Sequence, residues 1–350
     1  EEPRATQHID KIIDMIAKLE KNGAGYIADN GDVYFQVDRY ASYGQLAHRD
    51  LDQLQAGARV DIVEEKRSPL DFVLWKMAKE GEPSWDSPWG KGRPGWHIEC
   101  SAMSTATLGD TFDIHGGGAD LVFPHHENER AQSECATGKT FVNTWMHVGF
   151  VQIDKEKMSK SLNNFFTIRE VLKAYDSEVI RYFLIASHYR SPVNFASDQL
   201  EQAKNALESL YTALRGVDLS TVTEQPINNP FYQRFIEVMN DDFNTPLAIS
   251  VIFDCVHALN SAREKGDPQY IEHAAVLKLC GNILGLLERD PTAYLQGKTE
   301  NSDQIELMIS EREKARQARN WARADEIRQM LLAKGVVLED TAQGTIWRRG

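Results

Sequence analysis

The chain has 350 residues, of which 42% are hydrophobic and 26% charged, enough apolar material for several cores and, at usual domain sizes, about two to four domains. A formal net charge of −13 argues against a general nucleic-acid binder, which is ordinarily basic, but leaves room for a protein that meets RNA through local positive surface. No apolar run long enough for a bilayer and no secretory signal is read. With only four cysteines and no evident pairing among them, a cytoplasmic protein without a membrane partner is expected.

In chain order, residues 7–21 carry Ile9, Ile12, Ile13, Met15, Ile16 and Leu19 at helical spacing, ended by Asn22 and Gly23. Residues 25–37 read as a hairpin turning at Asn30-Gly31. Polar sequence follows to Lys66, then a short apolar strand over 72–77 and a stretch rich in proline and glycine over 82–95.

The next segment carries the chemistry. HIECS (His97 to Ser101) precedes FDIHGGGADLVFPHHENE (Phe112 to Glu129). Cys100, His125 and Glu129 offer a thiolate, an imidazole and a carboxylate, the last two at i, i+4 on one helix face, a zinc-ligand geometry. Spacing alone equally fits a small buried cysteine and a core histidine. Gly116, Gly117 and Gly118 fall between a strand over 111–115 and the helix bearing His125, where glycine permits close backbone approach to a nucleotide, although a turn is the commoner use. Residues 157–161 then read KMSKS. Lysines are mobile point charges suited to phosphates that change shape during reaction, and the serines add hydroxyl donors, where Lys155, Glu156 and Lys157 alone would suit a solvated basic loop.

From Ser197 the pattern is helical. Leu200, Ala203, Leu207, Leu210, Tyr211 and Leu214 form a bundle stripe, residues 216–230 a polar linker, and a second helix opens with Thr245 as cap and Pro246 in the first turn. Residues 277–287 complete the bundle, and 289–303 link it to a basic segment with Arg312, Arg316, Arg323 and Trp321. Cations beside an aromatic suit unpaired bases and phosphates, or an ordinary solvated helix.

KMSKS resembles the signature loop of class I aminoacyl-tRNA synthetases, with Asn163 where that family usually has glycine. Together with the Cys100, His125 and Glu129 set, essentially the whole chain resembles the cysteinyl-tRNA synthetases. The resemblance implies an α/β fold, the second part of a Rossmann-type catalytic domain with an inserted connective domain, followed by an all-α bundle and a small anticodon-binding domain. It places the end of the first catalytic half and the insertion at 1–94, the second half with the zinc site at 95–148, the KMSKS loop and bridging helices at 149–196, the bundle at 197–290 and the anticodon domain at 303–350. It further implies Zn2+ held by two cysteines, a histidine and a glutamate, with the thiolate of the substrate L-cysteine on the metal. Serine differs from cysteine by one atom, too little for an apolar pocket to reject by more than roughly one hundredfold. A soft metal separates thiolate from hydroxyl without editing.

By the same resemblance, Trp96, His115, Gly116, Gly117, Gly118 and Asp120 line the adenylate and amino-acid pocket, with Asp120 accepting from a ribose hydroxyl. Lys157 and Lys160 neutralise phosphate charge with Mg2+, and Met158, Ser159 and Ser161 belong to the ATP loop. Arg316, Trp321, Asp325 and Asp340 contact the anticodon of tRNA(Cys). The family's H-x-G-H signature and its first zinc cysteine are not found. The expectation is therefore a monomeric cysteine-tRNA ligase lacking an N-terminal segment, inactive as this piece alone. Two rivals are a ligase joining cysteine to an amino sugar, which shares the zinc and KMSKS elements but lacks an anticodon domain, and a non-catalytic RNA-binding fragment.

Overall fold

A computed structural model describes residues 1–49, 66–153, 156–157, 167–222, 225–297, 302–341 and 344–349, in two compact units, Glu1–Phe150 and Val151–Gly350.

In the first unit, helix α1 (Ile9–Lys21) buries Ile12, Met15, Ile16 and Leu19, one stripe at three- and four-residue steps. It closes at Gly23, φ 75°, a left-handed position that glycine fills without strain. Strands β1 (Gly25–Ile27), β2 (Val33–Phe35), β3 (Phe72–Met77) and β4 (Gly92–Pro94) form an antiparallel sheet in sequence order. The hairpin and the strand over 72–77 stand as the residue pattern predicts. Buried Asp71 ties the sheet to its flanking loops, accepting from the Tyr26 hydroxyl at 2.8 Å and the Val37 amide at 3.0 Å.

Gly95 then launches helix α2 (Trp96–Leu108). A Cβ there would stand 2.0 Å from the Val73 carbonyl oxygen, so only glycine lets the helix start against β3. Strand β5 (Phe112–Gly118) runs parallel to β6 (Val142–Val148), and helix α3 (Glu127–Thr137) lies in the chain between them, the connection that parallel strands require. The expected strand over 111–115 is extended: Gly116, Gly117 and Gly118 remain in register with Met146, His147 and Val148. Ladder hydrogen bonds override glycine's poor strand propensity here. Ile98 and Ala102 of α2 and Ala131 of α3 join the stripe of α1 in one core.

The second unit opens with β7 (Val151–Ile153), β8 (Glu156–Lys157) and β9 (Val193–Phe195), in order β8-β7-β9. Short helix α4 (Ile168–Val171) carries a capping box between Thr167 and Glu170, and α5 (Ser177–Ile185) is capped by Asp176. A helical core follows from α6 (Ser197–Leu214), α7 (Pro230–Asn240), α8 (Thr245–Lys265) and α9 (Gln269–Ile283).

Four expectations change in this unit. Helix α7 directly follows the expected linker and escaped the periodicity reading, because only Phe235 of its residues is fully buried. The cap of α8 is Asn244, whose side chain accepts from the Leu247 amide at 3.3 Å, and Thr245 is already helical. Residues Pro291–Gln296, read as linker, form helix α10, capped by Asp290 and anchored through Leu295. Helix α8 is also long and apolar enough to cross a membrane by length and composition, contrary to the initial reading. Its Ile252, Cys255, Val256 and Leu259 nevertheless pack inside the helical core. At the end of the chain, α11 (Ser302–Gln317), α12 (Trp321–Ala333) and the hairpin β10 (Val336–Thr341) and β11 (Gly344–Arg349) close over Ile309, Ile327, Leu331 and Trp347.

Candidate functional site

Helix α2, the C-terminal end of β5 and the π-type turn Val122–His126 before α3 converge on one buried group. Open parallel sheets gather ligands at this end of their strands. One ligand atom each from Cys100, His125 and Glu129 lies within 4.8 Å of the others. Glu129 is fully buried, with Oε1 2.6 Å from His125 Nε2 and Oε2 3.4 Å from His115 Nε2, yet neither oxygen accepts a well-aligned hydrogen bond. A buried carboxylate left in that state is costly in a folded protein.

The histidines around it are held neutral. Burial, reinforced by His125, draws His97 down to about 4, and burial with His115, His147 and His125 draws His126 down to about 3. His115 is also lowered by burial, against the pull of Glu129. Their lone pairs are thus free of protons at neutral pH. Burial, with Glu129 and Glu99 adding, pushes the Cys100 thiol up to about 12, so this sulfur stays protonated until a cation draws the thiolate out. Converging sulfur, nitrogen and carboxylate donors, and a thiol that needs a cation to ionise, are a donor set that zinc accepts.

The remaining expected residues distribute unevenly. Trp96 opens α2 with its indole 62% exposed and its ring 4.4 Å from that of His125. A Cβ on Gly117 would meet His126 Cε1 at 2.6 Å, so the residue makes room for an imidazole of this chain. A Cβ on Gly116 would have only the Met146 carbonyl oxygen, at 3.7 Å, within 4 Å, and this position retains open space for a ligand. Asp120 follows on an exposed turn. Lys157 belongs to β8 in the other unit, while Met158, Ser159, Lys160 and Ser161 lie outside the described residues.

Near the C-terminus, Arg316 and Asp340 are partners at 3.0 Å, and buried Arg312 holds both Asp340 oxygens at 2.8 and 2.9 Å. Trp321 stands 59% exposed at the start of α12, with Asp325 exposed one turn on. The sequence reading missed His126, His147 and Trp145 around the centre, and it placed Arg312 among the nucleic-acid-facing cations where the structure has it buried against Asp340. A usable signal existed for the first group: five of the ten histidines fall between His97 and His147.

Residues 1–205 match the tRNA synthetases class I (C) catalytic domain, 234–288 the DALR domain, and 299–348 the cysteinyl-tRNA ligase anticodon binding domain. Among solved structures, Mycobacterium tuberculosis methionyl-tRNA synthetase in complex with methionyl-adenylate superposes with a TM-score of 0.54 at 13% identity, over 81% of this chain and 72% of that one, a likeness of fold. The fold and catalytic-domain match define a class I aminoacyl-tRNA synthetase.

Relatives narrow the class. The chain is 55% identical to the cysteine-tRNA ligase of Tolumonas auensis over 352 residues, and 57% identical to cysteine-tRNA ligase 1 of Photobacterium profundum over 357, in both cases across 99% of this chain and 76% of the relative. The chain belongs to the cysteine-tRNA ligase family. Its anticodon-domain match disfavours the amino-sugar ligase alternative.

Proposed function

We propose that Cys100, His125 and Glu129 hold a zinc ion through which this cysteine-tRNA ligase recognises its amino acid. The reaction joins the cysteine carboxylate to the α-phosphate of ATP with release of pyrophosphate, then transfers the cysteinyl group to the terminal ribose of tRNA(Cys). Bound zinc would supply a soft Lewis acid that favours thiolate over the hydroxyl of serine. Neutral His115 borders the centre and keeps the amino-acid end of the pocket free of competing positive charge. Trp96 and the open face of Gly116 accommodate the adenylate, and Asp120 accepts from its ribose. Lys157 and Lys160, with Met158, Ser159 and Ser161 in the same loop, act on the phosphates beside Mg2+, where positioning and charge stabilisation dominate.

At the other end, Trp321 offers a stacking face to an unpaired anticodon base, with Arg316, Asp325 and Asp340 around it. The domain limits implied by the resemblance, a monomeric state and a cytoplasmic setting belong to the same proposal. All four cysteines are free, which agrees with a reducing compartment.

The observation that carries the reading is the buried Glu129 carboxylate, which accepts no well-aligned hydrogen bond and faces Cys100 and His125. Metal analysis tests it. The expected outcome is tight, stoichiometric zinc in the full-length ligase and weak binding by this piece, which supplies three of the donors, with the full-length site lost in the Cys100→Ala, His125→Ala double variant; zinc that survives both changes would sink the assignment. The loop is tested separately by ATP-pyrophosphate exchange in the full-length ligase, where Lys160→Ala should slow exchange by roughly one hundredfold to ten thousandfold. A rate within a factor of about two of wild type would remove Lys160 from catalysis.

A further inference from the structure

A metal-binding histidine ordinarily has its second ring nitrogen engaged, and that second contact decides which nitrogen faces the metal. His125 turns Nε2 toward Glu129 Oε1. Its other nitrogen, Nδ1, lies 2.9 Å from Nδ1 of His97. Two like nitrogens at that distance share one proton, so one ring donates and the other accepts. If His125 is to offer a bare Nε2, its proton must sit on Nδ1. His97 must then accept with a bare Nδ1 and carry its own proton on Nε2.

His97 is built to hold that pose. It lies on the first turn of α2. Its ring meets buried Phe72 of β3 edge-on at 5.6 Å and stacks obliquely against Trp96 at 5.4 Å. The ring is thus packed against the antiparallel sheet, while its Nδ1 reaches His125. Neither the spacing of Cys100, His125 and Glu129 nor the family matches assign it a role.

We propose that His97 is the positioning residue of this centre: its bare Nδ1 accepts the Nδ1 proton of His125 and so fixes the His125 Nε2 lone pair toward Cys100 and Glu129. The inference rests on the zinc reading above and adds a specific tautomer for each ring.

The test measures zinc and Co2+ affinity of the full-length ligase by competition with a chelator, together with the Co2+ absorption spectrum. His97→Leu removes the acceptor and should weaken both metals about 10- to 100-fold. His97→Asn can set a carbonyl oxygen where Nδ1 stood and should restore affinity to within about threefold of wild type. The thermal midpoint of the metal-free protein should be similar in both variants, which separates positioning from packing. A His97→Leu affinity within about threefold of wild type, or an Asn variant as weak as Leu, overturns the proposal. If the Leu variant does not fold, nitrogen-15 NMR of the wild-type zinc form decides: His97 protonated on Nδ1 refutes it, and His97 protonated on Nε2 with His125 protonated on Nδ1 supports it. Failure of the zinc reading itself looks different, because the wild-type full-length ligase would then bind neither metal tightly.

Discussion

Two buried acids show opposite states of satisfaction. Glu178 of the second unit is buried among partners: the Tyr211 hydroxyl donates to it at 2.8 and 3.0 Å, the Leu287 amide donates as well, and Arg289 lies at 3.1 Å. Arg289 is further held by Asp176, and the ring of Tyr211 stacks on that of Tyr294 at 3.8 Å. Glu129 of the first unit is more deeply buried and has the rings of His125 and His115 beside it but no well-aligned donor. Burial of a charge is tolerated in structural networks when every lone pair is met. Where lone pairs are left unmet, the fold carries a cost that only a ligand relieves, and that is the mark of a binding site.

The largest expected effect separates the two acids by stability. Glu178→Ala leaves Arg289, Tyr211 and the Leu287 amide without their common acceptor, and should cost about 3–5 kcal/mol in denaturant unfolding. A loss below about 1 kcal/mol would show that Glu178 is not the network's centre. Glu129→Gln should do the reverse. In the metal-free protein it should be neutral or stabilising by up to about 1–3 kcal/mol, since a desolvated charge is removed at constant shape, while zinc affinity falls at least about tenfold. Equal destabilisation by both changes would break the contrast.

A smaller effect concerns the C-terminal residues. Asp340 is paired with both Arg316 and Arg312, whereas Trp321 is exposed. Trp321→Ala should therefore weaken tRNA binding by about 1–3 kcal/mol and leave ATP-pyrophosphate exchange unchanged in the same preparation. Equal loss in both assays would make Trp321 a structural residue.

The smallest effect is a pH dependence. Hydrogen bonds from Arg312, aided by Thr345, hold the Asp340 carboxyl well below its usual range, with partial burial opposing them. A group whose pKa is lower folded than unfolded contributes stability above the unfolded value, near 3.8, and loses that contribution as pH falls through the folded one. Unfolding of the chain should thus become easier below about pH 4. Asp340→Asn should flatten that part of the profile, by at most about 1 kcal/mol because the pair is partly solvent-screened. An unchanged acid limb would exclude Asp340 as a contributor.

Local signals made much of this molecule legible. Helix α1, the hairpin of β1 and β2, β3 and α6 follow from periodicity and turn residues, because their buried faces repeat at the period of the backbone itself. Cys100, His125 and Glu129 could be paired by spacing and resemblance. Helix α7 could not be read, since one fully buried side chain makes no stripe. The glycine run was misjudged as a loop because its strand state depends on β6, whose first residue lies 24 positions beyond Gly118 (142 − 118).

What the sequence by itself determined was the family and its reaction, with Cys100, His125 and Glu129 as candidate donors, all of which are local in the chain or carried by motifs. Only tertiary structure decided their condition. The packing of α2, β5 and α3 buries Glu129, holds His97 and His126 neutral, and sets Nδ1 of His97 against Nδ1 of His125. Desolvation and the pairing of lone pairs depend on which atoms surround a group in space, and residues 28 positions apart reveal that only once the chain has folded.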